Sequence, residues 1–63
     1  MLSEMPIIRV TWYKGRTKEQ KAAVAQAVTD ALVRIAGTKP DQTWVVFEDV
    51  EKESWAIGGK LSA

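Results

Sequence analysis

Catalytic chemistry in this chain is limited by the residue types present, because its 63 residues include no histidine and no cysteine. A Ser-His-Asp triad, a Cys-His pair, a thiolate redox centre and an imidazole base are all excluded. The same absence removes almost every zinc site, and we expect neither a metal nor a cofactor. A catalyst would have to use carboxylates, lysine, tyrosine, arginine or the terminal amine of the chain.

Four acidic residues lie close together in the sequence and could in principle hold Mg²⁺ or Ca²⁺. They are Glu48, Asp49, Glu51 and Glu53. Their spacing matches no known cation-binding loop, and Lys52 stands among them. A solvated loop is the better interpretation.

Aromatic residues at Trp12, Tyr13 and Trp44 could stack on nucleic acid bases. Such binding needs a clustered basic surface, whereas the formal net charge is +1 and the basic residues are spread along the chain. A ribbon-type DNA binder would also need a second helix. Packing in a core or an interface is therefore favoured, and no nucleic acid partner is expected. Gly58-Gly59 lacks the Lys-Ser/Thr of a P-loop and is typical of a turn.

Two strands and one helix are predicted to position these residues. Residues 7–13 are rich in β-branched and aromatic types and predict a strand. Thr17, with Gln20 three residues later, fits a capping box and predicts a helix over residues 18–36 that ends at Gly37. Apolar residues recur along this helix at its own period and predict one buried face: Val24, Val28, Ala31, Leu32 and Ile35. The polar residues predict an opposite, solvated face: Glu19, Lys21, Gln26, Asp30 and Arg34.

The C-terminal half predicts a second strand, a loop and a hairpin. Residues 43–48 form the strand, whose continuous apolar centre is typical of a strand covered on both faces. Residues 49–54 are polar and predict the loop. Residues 55–61 contain the Gly-Gly turn signal and predict a short hairpin.

The predicted architecture is an α/β (α+β) fold with a single βαβ unit, a parallel two-stranded sheet and a short C-terminal hairpin. One helix covers only one face of the sheet. A chain near 60 residues also buries only about 60% of its unfolded surface, so its own core is marginal. Without disulfides or a metal, self-association remains, and we expect oligomerisation to complete the sheet.

The chain resembles the 4-oxalocrotonate tautomerase family in a constellation of residues spread from Pro6 to Leu61. The pattern consists of Pro-Ile, then Gly-Arg-Thr-(two residues)-Gln-Lys after the first strand, a βαβ spacing, and a closing Trp-Ala-Ile-Gly-Gly-Lys-Leu. The resemblance implies a tautomerase-like protomer in a homo-oligomer, a hexamer built as a trimer of dimers in which paired protomers form a four-stranded sheet.

The resemblance also implies an isomerase in which an amino-terminal proline nitrogen shuttles a proton between an enol oxygen and a carbon of an unsaturated 2-oxo acid. Pro6 aligns with that proline, and Arg16 aligns with the arginine that binds a substrate carboxylate. Trp55 aligns with the aromatic wall of the pocket, and Ile7 and Ile57 match its apolar positions.

The chemistry has a physical basis in a chain without histidine. An α-amine titrates at about 7.7–8.0 in model peptides, close to neutrality. Burial against Trp55 and Ile57, with Arg16 nearby, would disfavour the ammonium form and lower its pKa. A base matched in this way contributes about 10²–10⁴-fold to a rate.

The sequence departs from the family pattern at two positions. Trp44 aligns with a second arginine that helps to hold a diacid, so we expect Trp44 to bind a mono-acid or an aryl enol instead, unless Arg9 or Lys14 of another subunit compensates. Pro6 is internal, and as an amide its nitrogen has no basicity.

Residues 1–5 are therefore predicted to be an extension absent from the mature protein, before a tautomerase-like domain over residues 6–63. Met5 would then be the true or an alternative start, because its removal from Met5-Pro6 is favourable. If the extension is retained, a non-catalytic oligomeric binder of small molecules is the alternative.

The location predicted from the sequence is the cytoplasm. No apolar run approaches the roughly 18 residues of a membrane span. The first residues also lack the basic and apolar regions of a signal peptide. We therefore expect no membrane partner.

Overall fold

The computed structural model describes residues 6–63, which form a βαβ unit followed by a small hairpin. The elements are β1 (Ile7–Tyr13), α1 (Lys18–Ala36), β2 (Trp44–Val50), β3 (Ala56–Ile57) and β4 (Lys60–Leu61). Strands β1 and β2 pair in parallel, and β3 and β4 pair in an antiparallel hairpin. The predicted fold class is confirmed. The predicted extension over residues 1–5 lies outside the described residues.

Helix α1 begins and ends at the predicted residues. The Thr17 hydroxyl accepts a hydrogen bond from the Gln20 backbone N–H at 3.1 Å, and the Gln20 side chain accepts one from the Thr17 N–H at 2.9 Å. At the other end Gly37 has a φ of 77°, a left-handed conformation that favours glycine, and its N–H donates to the Val33 carbonyl. Local signals of this kind depend on few neighbours, which explains why they are readable from the sequence.

Strand β2 differs from its prediction. It covers Trp44–Val50, whereas the prediction was residues 43–48 followed by a polar loop. Asp49 and Val50 are in the strand because they pair with Trp12 and Tyr13 of β1. The polarity of Asp49 was misleading, since side chains of alternating direction along a strand place a polar residue beside an apolar one without breaking the pairing.

The face of α1 that turns towards the sheet also differs from its prediction at two residues. Lys21, predicted to be solvated, reaches across to Asp49 and forms an ion pair at 2.5 Å. Ile35, predicted to be buried, is 77% exposed. Ile35 lies in the last turn, where no other part of residues 6–63 covers it. The remaining predicted apolar residues of this face are half-buried: Val24, Val28, Ala31 and Leu32.

The protomer has a helix-covered face and an open face on its main sheet. Trp12 and Phe47 stack on the covered face, with ring centroids 5.3 Å apart. On the open face, Ile7, Trp44 and Val46 remain 59%, 48% and 44% exposed. No apolar side chain in residues 6–63 is fully buried. Within a single chain the centre of β2 is therefore covered on one face only, as expected for a sheet with one helix, and coverage of the second face by another subunit stays a prediction.

The described part of the chain contains no helix with both the length and the apolar character needed to cross a membrane.

Candidate functional site

Pro6 and Trp44 lie side by side at the amino end of the sheet. The Pro6 carbonyl oxygen accepts a hydrogen bond from the Trp44 backbone N–H at 3.0 Å. Ile7 is the register partner of Trp44, and both side chains are among the exposed apolar residues of the open face. Parallel pairing produces this arrangement, because the two strands begin at the same edge. Three of the predicted site residues are thus brought together.

Arg16 and Trp55 meet around Tyr13 at the opposite, carboxyl end of the sheet. The Arg16 Nη1 donates a hydrogen bond to the Tyr13 carbonyl at 3.0 Å. The Trp55 and Tyr13 rings contact each other with centroids 4.7 Å apart and planes tilted by 59°. The predicted carboxylate-binding residue and the predicted aromatic wall therefore share one neighbour.

The two groups are separated by the length of β1. Seven residues at the usual rise span about 20 Å. Ile57 lies in the hairpin beyond Trp55 and is 68% exposed. No pocket is enclosed by residues 6–63 of a single protomer. One protomer alone does not bring Pro6 to Arg16.

Tyr13 is a contact residue that the sequence did not single out for this end of the sheet. Its hydroxyl makes a hydrogen bond with the Ser62 hydroxyl at 2.8 Å, and its ring lies 5.6 Å from the Lys52 ammonium. The Ser62 N–H also donates to the Trp55 carbonyl at 2.9 Å. Tyr13 thereby ties the C-terminal segment to β1. No sequence signal links residues so far apart, so the contact is visible only in the fold.

Arg16 lies over the ring of Trp12, with its guanidinium carbon 4.7 Å from the ring centroid. The Trp12 Nε1 donates to one oxygen of Asp49 at 2.7 Å, and the Lys21 ammonium donates to the other at 2.5 Å. The hydrogen bond from Lys21, then that from Trp12, lowers the pKa of Asp49 below its ordinary value, and the charges of Lys21 and Arg16 lower it further. Asp49 is thus an anion held between two donors.

The other acidic residues of β2 and its following loop have separate partners. Glu48 accepts a hydrogen bond from the Thr11 hydroxyl at 3.1 Å on the open face. Glu51 forms an exposed ion pair with Lys14 at 3.0 Å. Within the described range, no three acidic side chains come together in a group that could hold a metal ion.

Comparison with known proteins identifies the family. Residues 6–63 match the family model described as tautomerase enzyme. A probable tautomerase of Ralstonia nicotianae is 44% identical over 57 residues, which are 90% of this chain and 88% of that protein. The 2-hydroxymuconate tautomerase of Comamonas testosteroni is 42% identical over 55 residues, 87% of each chain. The chain therefore belongs to the tautomerase family.

A solved structure agrees in fold. The crystal structure of TomN, a 4-oxalocrotonate tautomerase homologue in the tomaymycin biosynthetic pathway, superposes with a TM-score of 0.85 at 35% identity. The similarity covers 90% of this chain and 88% of TomN. The resemblance to 4-oxalocrotonate tautomerases is confirmed at the level of family and fold.

Proposed function

We propose that this chain is a tautomerase that interconverts the enol and keto forms of a small unsaturated or aryl 2-oxo acid in the cytoplasm. Pro6, exposed as the first residue by processing, acts as the general base and acid. The observation that carries the proposal is the position of Pro6 at the head of β1, where the family match also begins. No cofactor takes part, since the reaction moves one proton.

The proton transfer balances with a single amine. The neutral Pro6 nitrogen accepts the proton of the enol hydroxyl, and the resulting carbonyl forms as the double bond shifts. The ammonium then returns a proton to carbon, so the enzyme ends in its starting state. An apolar surrounding favours the neutral amine, and the candidates that supply it are Ile7 and Trp44 together with Trp55 and Ile57.

Arg16 binds the substrate carboxylate. The guanidinium is charged at all working pH values and has five N–H donors in a planar fork. One nitrogen is directed at the Tyr13 carbonyl, and Arg16 has no carboxylate within ion-pair distance among residues 6–63. Donors therefore remain for a bidentate contact with the substrate.

The separation of Pro6 from Arg16 supports a site assembled between protomers. The open face, with Ile7, Trp44 and Val46 exposed, supplies an apolar surface that a second copy would cover. By resemblance to the family, the assembly is a homohexamer built as a trimer of dimers. Within it, Pro6 of one protomer faces the Arg16 end of another.

Trp44 favours a mono-acid or aryl enol over a diacid. Its indole offers an aromatic surface and a single N–H donor, and it carries no charge. The name of the Comamonas relative supports 2-hydroxymuconate as the alternative substrate. The two substrate types differ in the second carboxylate, which Trp44 cannot pair.

A second candidate function follows from the bond that precedes Pro6. In the 63-residue chain the Pro6 nitrogen is part of an amide. Such a nitrogen cannot take up a proton near neutrality. If residues 1–5 stay attached, the chain functions as an oligomeric small-molecule binder without proline catalysis.

The decisive experiment compares three proteins in phenylpyruvate enol–keto conversion: the 63-residue chain, the chain beginning at Pro6, and the latter with Pro6→Ala. We expect activity in the chain beginning at Pro6, a loss of most of it with Pro6→Ala, and negligible activity in the 63-residue chain. Intact mass of the natively expressed protein reports the natural start. Exclusive recovery of Met1 at the terminus, or full activity of the Pro6→Ala variant, would reject proline catalysis.

A further inference from the structure

We propose that Trp12 is a positioning residue for Arg16, one that orders the guanidinium before the substrate carboxylate arrives. The Lys21–Asp49 ion pair has a separate role, because it keeps the Asp49 carboxylate from competing with the substrate carboxylate for Arg16. Both statements rest on the proposed role of Arg16 as the carboxylate-binding residue.

The first step of the inference concerns the freedom of the arginine. An exposed arginine side chain populates many rotamers, and binding a ligand orders it at a cost in entropy. In this structure the guanidinium carbon lies over the Trp12 ring, 4.7 Å from its centroid, while Nη1 donates to the Tyr13 carbonyl. Cation–π attraction of this kind uses none of the N–H donors of the guanidinium, and these donors are the groups that form a bidentate contact with a carboxylate.

The second step concerns the ring on which Arg16 rests. One side of Trp12 stacks on Phe47, with planes inclined by 17°. Its Nε1 donates to Asp49 at 2.7 Å, which fixes the rotation of the indole. The Trp12 indole is therefore held in two ways, by packing against Phe47 and by a hydrogen bond to the Asp49 carboxylate.

The third step concerns charge. Asp49 is the register partner of Trp12, so its carboxylate is a nearby anion that Arg16 could bind in place of a substrate. Lys21 of α1 instead occupies the second oxygen of Asp49, and the pair is neutral. The positive charge of Arg16 is left for the ligand.

The test measures binding of phenylacetate, a carboxylate that cannot tautomerise, by isothermal titration calorimetry. Both the 63-residue chain and the chain beginning at Pro6 are titrated. Arg16→Ala sets the reference for loss of the carboxylate contact. We expect Trp12→Leu to weaken binding about tenfold and Trp12→Phe, which keeps a stacking ring, to weaken it about threefold.

A double-mutant cycle tests the charge argument. Lys21→Met leaves Asp49 as a competing anion and weakens binding about tenfold. Adding Asp49→Asn removes that anion and restores binding to within about twofold of the parent. A purely structural role of the ion pair predicts no such rescue. Lys18→Met, an exposed lysine in the same turn of α1, is the matched control and leaves binding unchanged.

Each outcome separates this inference from the proposed catalysis. If Arg16→Ala weakens binding while the Trp12 and Lys21 variants bind like the parent, the positioning role is overturned and Arg16 keeps its proposed role. If the expected binding pattern appears but the chain beginning at Pro6 is inactive, the positioning role stands and proline catalysis fails. If Trp12→Leu does not fold, the Lys21–Asp49 double-mutant cycle and the Trp12→Phe variant decide whether the positioning role holds. Unchanged binding in Arg16→Ala overturns the inference.

Discussion

The Pro6 carbonyl and the Trp44 N–H are joined by a hydrogen bond of 3.0 Å, so these two residues form the first rung of the parallel sheet. Trp44 is also the position at which the resemblance to the 4-oxalocrotonate tautomerases implies an arginine. The backbone hydrogen bond holds Trp44 beside Pro6. A substitution of the Trp44 side chain therefore changes the surroundings of the proposed catalytic residue. Its side chain is half exposed on the open face and is accessible to a ligand or a second protomer.

Trp44→Arg is expected to shift substrate preference towards diacids. A guanidinium can pair with the second carboxylate of 2-hydroxymuconate, and a charge-assisted pair of this kind is worth about tenfold or more. The ratio of kcat/KM for 2-hydroxymuconate to that for phenylenolpyruvate, measured in the chain beginning at Pro6, should rise by about that factor. Trp44→Phe keeps an aromatic ring without charge and should leave the ratio near the parent value. An unchanged ratio in Trp44→Arg would mean that this side chain does not meet the substrate.

Val46→Lys is expected to dissociate the proposed homo-oligomer. Val46 lies on the open face beside its register partner Arg9, and covering this face with a second copy would bury an added ammonium next to that like charge. Sedimentation at micromolar protomer concentration should show smaller species than the parent, with the dissociation constant raised at least about tenfold. Ala22→Lys on the exposed side of α1 is the control and should sediment like the parent. Parent-like sedimentation of Val46→Lys would show that the open face is not the interface.

The parts of the fold that the sequence predicted are those determined by neighbours along the chain. The capping box of Thr17 and Gln20, the left-handed Gly37 and the turn at Gly58-Gly59 each depend on a few adjacent residues. Residue composition predicted the presence of both main strands, and the capping box with Gly37 predicted the bounds of α1. The strand order needed no further information, because a single helical crossover makes the pair parallel.

The parts that escaped prediction depend on contacts between distant residues. Polarity placed Asp49 in a loop, whereas it is in β2 because it pairs with Trp12 and binds Lys21. Periodicity placed Ile35 on the buried face of α1, whereas no distant part of the described chain covers it. The proposed site residues were recognised by resemblance to a family, and such a resemblance does not give the distances between them. The separation of Pro6 from Arg16 follows from β1 itself, whereas the meeting of Pro6 with Trp44 and of Tyr13 with Trp55 depends on how the strands and the hairpin pack.

Thr17→Ala is expected to destabilise the protein by about 1 kcal/mol, because the hydroxyl satisfies an N–H of the first helical turn. The measurement is urea unfolding at a fixed protein concentration, since the proposed self-association would make stability concentration-dependent. Thr17→Ser keeps an acceptor at the same position and should remain within a few tenths of a kcal/mol of the parent. Equal losses in both variants would assign the effect to the methyl group instead of the cap.

Asp49→Asn is expected to reduce the loss of stability in acid. The lowered pKa of Asp49 means that the folded protein binds fewer protons at this site than the unfolded chain does. Its contribution is therefore fully present above the ordinary aspartate pKa of 3.8 and is lost as pH falls through the lower pKa of the folded state. Below about pH 4 the parent should lose stability more steeply than Asp49→Asn does, while near neutrality the variant should be less stable because the bonds to Lys21 and Trp12 lose their charge.

The pH series is measured by urea unfolding followed through tryptophan fluorescence at constant protomer concentration, from pH 6 to about pH 2.5. Asp41→Asn in the Pro40–Gln42 turn is the matched control, since Asp41 is exposed and makes no ion pair within the described residues. Its acid profile should follow that of the parent. If Asp49→Asn also follows the parent, Asp49 binds protons equally in the folded and unfolded states, and the hydrogen bonds from Lys21 and Trp12 do not stabilise its charge in solution.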